Sequence, residues 1–334
     1  MAFPATKRYS YWAQLAILTG CVSVGFLLAA LLSSVPLLLK TDLKSLIGAS
    51  PEELTARLFI PENAGLLRVV QFLSTLFLFF VPSIVYARIC HQKAFAHLGY
   101  HHRVNYRQLA VVILIMLACL PLVGALADLT SKLPFSKATF AKFQAAEDAY
   151  NKQVAIIGRM DNFMDYILSL LMLAILPALF EETLFRGAIQ NLLSRWWKAP
   201  VLAIVVTACI FSAVHGSYLG FLSRAALGFV LGWMYYRTGN LWLNIIAHAA
   251  NNAVAITVLY VMRLKDPNVD LSKADPHYPM WWGIVAVAFV YGLFFLFEKV
   301  SNYQVSQPGK EILIETNDNN QPPWTHTTGT TQNA

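Results

Sequence analysis

An all-α, polytopic transmembrane bundle of about eight spans is the fold this 334-residue sequence predicts. Only 13% of the residues are charged while 57% are hydrophobic, and mean hydropathy is +0.52, a balance that does not suit a soluble domain. Apolar runs approaching the roughly 20 residues a span needs recur along the chain. Several of them carry isolated polar residues at helical spacing, which lipid would leave unsatisfied, so those helices must face one another.

The first run, Tyr11 to Leu39, follows Lys7 and Arg8 but continues beyond the roughly 7 to 15 apolar residues of a secretion signal, so it reads as a retained span. Leu66 to Ala87 and Leu109 to Leu126 are the second and third. The connection from Arg88 to Gln108 holds four Lys/Arg and no acid, which places it, and with an even number of spans both termini, in the cytoplasm. Ala127 to Asp165 is the longest loop, and its Phe140 to Ile157 stretch lacks helix breakers and mixes apolar with charged residues, as an amphipathic helix at the outer face does. Spans four to seven are Tyr166 to Leu193, the short Val201 to Val214, Leu219 to Tyr236 and Leu241 to Met262; Met280 to Phe297 is the last.

The organisation expected is three spans in 1–126, an extramembrane loop in 127–165, a four-helix catalytic core in 166–262, a loop and final span in 263–300, and a disordered polar tail in 301–334. No internal repeat is visible, which counts against transporters built from duplicated halves. The net charge of +7 is spread through the loops without a compact patch, so nucleic acid is not an expected partner. Four cysteines without Cys-x-x-Cys spacing make neither a disulfide framework nor a thiolate metal site.

Chemistry concentrates between residues 181 and 252. Glu181, Glu182, Arg186 and Arg224 all interrupt apolar runs, at a summed insertion cost of roughly 10 kcal/mol that something must offset. Glu182 and Arg186 are four apart on a helix and can form a structural ion pair. Glu181, about 100° away, shares a stripe with Ala174, Ala178 and Ala188 that admits a close neighbour, and Pro177 should kink the helix just before it. It is either a protonated carboxyl satisfied by another helix or a base in a low dielectric. Phe211 and His215 close the next segment. Asn244, His248 and Asn252 form a polar stripe on span seven, with Asn251 nearby. On span six, Gly220, Arg224, Gly228, Gly232 and Tyr236 read as a packing face with one structural arginine.

One free carboxylate, two imidazoles and an amide are the equipment for activating water. Glu181 and His215 could hold the water, and His248 and Asn252 could donate to the oxyanion of a tetrahedral intermediate. Alternatively Glu181, His215 and His248 could bind Zn²⁺ with an open position for water, so either no cofactor or zinc is compatible with these residues. Counting about 1.5 Å per residue from the cytoplasmic helix ends puts Glu181 and His215 roughly 20 to 25 Å deep but His248 only about 12 Å.

These residues resemble a known pattern. EETLFR (Glu181 to Arg186) matches EExxxR, FSAVH (Phe211 to His215) matches FxxxH, and HAANN (His248 to Asn252) matches HxxxN, in the order and spacing of the CPBP (Abi) family of CAAX-processing and bacteriocin-processing intramembrane proteases. The resemblance covers roughly Tyr166 to Leu259. It implies that Glu181 and His215 activate the water, that His248 and Asn252 stabilise the oxyanion and that Glu182 and Arg186 support the site. It further implies a membrane-associated protein or peptide substrate in the bilayer, here of the bacterial inner membrane. Both metal-dependent and glutamate-dependent mechanisms are described in the family. From the residues alone, a transporter or proton conductor using the buried Glu, His and Arg, or a silent membrane scaffold, stays open.

Overall fold

The computed structural model describes residues 9–40, 50, 53, 57–100, 104–266 and 279–305. Among them there is no β-strand, and nine long helices account for most of the chain. In chain order they are α1 (Tyr11–Lys40), α2 (Pro61–Cys90), α3 (Tyr106–Ser131), α4 (Lys137–Ile157), α5 (Phe163–Trp197), α6 (Pro200–Ala213), α7 (Phe221–Thr238), α8 (Leu241–Lys265) and α9 (Met280–Val305). All eight expected spans are helical, and α4 is the helix expected within the long loop. Six helices, α1, α2, α3, α5, α8 and α9, are long and apolar enough to cross a membrane. The other two expected spans fall outside that set: α6 has 14 residues, about 21 Å of rise against a hydrocarbon core of roughly 30 Å, and α7 carries Arg224 and Arg237. Helix α9 continues to Val305, past the expected boundary at 300, and the rest of the polar tail lies outside the described residues.

Side-chain capping sets several helix starts. Asn105, Ser136, Asn162 and Asn240 each accept a hydrogen bond from a backbone N–H in the first turn of the helix that follows. Helix α7 ends at Gly239, which takes the left-handed conformation (φ +62°) that favours glycine, and Asn240 opens α8 at once. Two spans contain π-helical turns: Leu76–Phe80 in α2 and Leu170–Ile175 in α5 each end two residues before a proline (Pro82 and Pro177), and Thr183–Gln190 in α5 follows the glutamates. A proline donates no hydrogen bond and crowds the carbonyl four residues back, and a widened turn relieves both problems. Between the π turn at Leu170–Ile175 and the glutamates lies the α-helical stretch Leu176–Glu182, with Pro177 in its first turn.

Polar ties at the two ends fix helix direction. At one end Gln14 of α1 accepts hydrogen bonds from Tyr86 of α2 and Arg195 of α5, and Gln108 of α3 donates to Ser301 of α9 at 3.1 Å. At the other, Arg68 of α2 donates to the carbonyls of Ile157 and Arg159, while Arg159 and Arg263 both reach Asp161. Between these ends one apolar core gathers Tyr86, Leu98, Phe180, Phe185, Leu192 and Phe211, and a second gathers Ile115, Met116, Leu231, Met234, Ala247 and Phe297. Large apolar side chains such as Phe26, Leu31, Ile284 and Phe289 are exposed on α1 and α9, as lipid-facing residues are. The chain is an integral membrane protein.

Helices α6 and α7 pack closely because α7 is glycine-rich. A Cβ on Gly228 would stand 3.1 Å from the Cα and Cβ of Ala208, and one on Gly232 would stand 2.8 Å from Ile204 and from the Gln190 side chain. The same close approach exposes carbonyls to α5: Arg186 donates to Gly228 O at 3.1 Å and Gln190 to Gly232 O at 2.8 Å. Gly228→Val is expected to destabilise the protein by about 1–3 kcal/mol through overpacking. Thermal unfolding in detergent reads this as a lowered midpoint.

Candidate active site

Helix α5 delivers two adjacent glutamates to different surroundings. The Glu182 side chain is fully buried. Its Oε1 accepts from Arg186 Nη1 at 2.6 Å and from His248 Nδ1 at 2.9 Å, and its Oε2 accepts from Asn244 Nδ2 at 3.3 Å. A buried carboxylate is tolerated only with such a complement of donors. The ion pair expected from the four-residue spacing is present, and Arg186 also lies over the Phe211 ring, 4.8 Å from its centroid.

Glu181 is the open one: its side chain keeps 11% of its exposure where that of Glu182 keeps none. Its Oε2 stands 4.0 Å from His215 Nε2 and 3.9 Å from His248 Nε2. Both separations exceed a direct hydrogen bond, and 4.0 Å is a span that a bridging water can fill. Ala174, Ala178 and Ala188, the small residues expected beside it, are all fully buried.

The two imidazoles are oriented through their other nitrogens. His215 Nδ1 is 2.8 Å from the carbonyl of Phe211. Because a carbonyl and a carboxylate only accept, Nδ1 is the donor in both rings, and Nε2 of each turns toward Glu181. The Phe211 ring meets His215 and His248 edge to face, at 4.9 and 5.8 Å between centroids. Asn252 sits one turn beyond His248, half-buried, and its Oδ1 accepts from Asn251 at 3.4 Å. No side-chain hydrogen bond joins Asn252 to the glutamates or imidazoles among the described residues.

Sequence counting placed His248 shallower than Glu181, yet the two meet. The reason is where α8 begins. Leu241 is fully buried and its N–H donates to Gly99 O at 2.7 Å, so the helix starts inside the bundle beneath the 91–100 connection. The expected stripe on α8 also divides: Asn244 supports Glu182 and the Leu231 carbonyl, a role hidden in the sequence although its spacing pointed inward.

Tetrahedral zinc with bonds of about 2.0–2.1 Å sets its ligand atoms about 3.3 Å apart. Glu181 Oε2 stands farther than that from both Nε2 atoms, and among the described residues no group of three His, Cys, Asp or Glu is arranged to hold a metal. The donor set is of the right chemical kind, but as placed it does not fit the ion.

Removing one partner of the buried pair should cost far more than removing both. Arg186→Met is expected to lose about 3–5 kcal/mol of stability, and Glu182→Gln/Arg186→Met to lose markedly less. Denaturant unfolding of the purified proteins compares them.

The family model for Rce1-like proteins, described as type II CAAX prenyl endopeptidase Rce1-like, matches residues 163–254. The uncharacterized protein YpbD of Bacillus subtilis (strain 168) is 32% identical over 112 residues, which are 32% of this chain and 52% of that protein. An uncharacterized 24.3 kDa protein of Escherichia coli is 38% identical over 88 residues, 25% of this chain and 41% of that protein. The chain thus spans about half the length of the curated relatives it matches. No solved structure matches it. The matched segment contains all three motifs and lies on the four helices that bring them together, so the similarity to the CPBP (Abi) family is carried by residues 163–254.

Proposed function

We propose that the protein is an intramembrane endopeptidase that cleaves a membrane-associated protein or peptide with a water molecule held by Glu181 and His215. The observation that carries this reading is the pairing of a solvent-reachable carboxylate with an imidazole whose Nδ1 is committed to Phe211 O. Water between Glu181 Oε2 and His215 Nε2 donates one hydrogen to each, which leaves an oxygen lone pair for a substrate carbonyl. Glu181 takes the proton as the O–C bond forms and returns it to the leaving amine as the C–N bond breaks.

The developing oxyanion is assigned to His248 and Asn252. The His248 ring lies between the carboxylates of Glu181 and Glu182 with Nε2 toward the site, and that nitrogen is the one placed to meet the oxygen. Asn252 has its Oδ1 engaged by Asn251, and its Nδ2 is the available donor. Glu182, Arg186 and Asn244 act by holding His248. The match to a CAAX endopeptidase family supports a membrane-associated substrate, and the basic 88–107 connection supports a plasma-membrane orientation with both termini cytoplasmic.

Glu181→Ala and His215→Ala proteins should fold and lose at least about 10²-fold of the activity on a substrate cleaved by the parent. In the same assay the parent should keep its activity after treatment with a strong chelator. Full activity in either variant contradicts the assignment of the base, and loss on chelation with recovery on added zinc contradicts the metal-free scheme.

A further inference from the structure

One charge beside the site has no counter-ion. Arg186 is paired with Glu182 and the Gly228 carbonyl, but the Arg224 guanidinium, in the first turn of α7, makes no hydrogen bond or ion pair among the described residues. Its Nη1 is sealed from solvent with nothing to donate to, while the side chain as a whole is only half-buried, so part of the guanidinium is open to a ligand. The position is a poor one for a structural cation. It lies at the positive end of a helix dipole, with no acidic residue in the first turn and no side-chain cap.

The surroundings keep the charge in place. The guanidinium folds over Gly220, where a Cβ would lie 2.0 Å from Nη1, so a larger residue there would push the Arg224 side chain aside. Its Cζ stands 5.0 Å from the ring centroid of Tyr150 on α4. Glu147, one turn from Tyr150, does not pair with it; its Oε2 accepts from Ser217 Oγ at 2.5 Å instead. Phe143 of α4 stacks on Tyr218 at 4.6 Å, so α4 lies along the loop that carries His215. The same Cβ point at Gly220 is 2.7 Å from Ser217 Oγ, two residues after His215, so the guanidinium lies against the loop that carries His215, whose Nε2 is 4.0 Å from Glu181.

We propose that Arg224 binds a carboxylate of the peptide substrate beside the scissile bond and so determines which peptides are accepted. The inference rests on the endopeptidase reading for the word substrate, but the site itself is defined by binding. A guanidinium takes a carboxylate through paired N–H donors, an interaction made for planar anions and closed to amides. The carboxylate can be the α-carboxylate of a chain end or an acidic side chain.

The test uses full-length Glu181→Gln protein in nanodiscs, which holds peptide without cutting it. Four Leu/Ala octapeptides of one sequence serve as probes, with a central Glu or Gln and a free or amidated C-terminus. Peptides carrying the recognised carboxylate should bind about tenfold more tightly than their neutral counterparts. That preference should vanish in Glu181→Gln/Arg224→Gln and survive in part in Glu181→Gln/Arg224→Lys. Preference along the acid/amide pair identifies a chain end, and preference along the Glu/Gln pair identifies a side chain. Equal binding of all four peptides, binding of none, or a preference unchanged by Arg224→Gln overturns the proposal. Cleavage by the protein with Glu181 intact is scored separately: carboxylate-selective binding without any cleavage contradicts the endopeptidase reading and leaves the Arg224 site standing.

Discussion

The Glu182 carboxylate is the constraint on which the site depends. Fully buried, it gathers donors from two helices, Arg186 on its own and Asn244 and His248 on α8, and Arg186 extends the connection to the Gly228 carbonyl of α7 and the Phe211 ring of α6. An ionised group in such surroundings is stable only when its lone pairs are taken up, so these contacts cannot be relaxed one at a time. The orientation of His248 follows from the bond to Glu182, and that of His215 follows from the Phe211 carbonyl at the end of α6.

Against this rigid network Glu181 is the adaptable member. It makes no direct hydrogen bond to either imidazole, faces both Nε2 atoms at nearly equal distance, and keeps the solvent contact that Glu182 lacks. Adjacent residues on one helix therefore differ, with one carboxylate tied into the frame and the other in contact with solvent. Two π-helical segments of α5, Leu170–Ile175 and Thr183–Gln190, flank the α-helical stretch that carries this pair, and α8 packs against that stretch.

Much of this was legible in the sequence, for identifiable reasons. Helix positions followed from apolar runs, since a polytopic chain has few other ways to satisfy its backbone, and the Glu182–Arg186 pair followed from four-residue spacing. The inward stripe of Asn244, His248 and Asn252 was visible, but the separate duty of Asn244 was not, because spacing shows a face and not a partner. The depth of His248 was misjudged because hydropathy marks where an apolar run starts and not that Leu241 starts within the protein, bonded to Gly99. The lie of α4 along the 214–220 loop rests on Phe143, Glu147 and Tyr150, contacts distant in sequence from the motifs that they adjoin.

The central claim is that the open carboxylate of Glu181 makes this bundle hydrolytic. Mass spectrometry of newly formed protein termini, comparing membranes that contain the parent with membranes that contain an equal amount of folded Glu181→Gln protein, tests it most directly. The account predicts a set of termini in membrane-associated proteins that is present with the parent and absent with the variant. Identical termini in both membranes would contradict it.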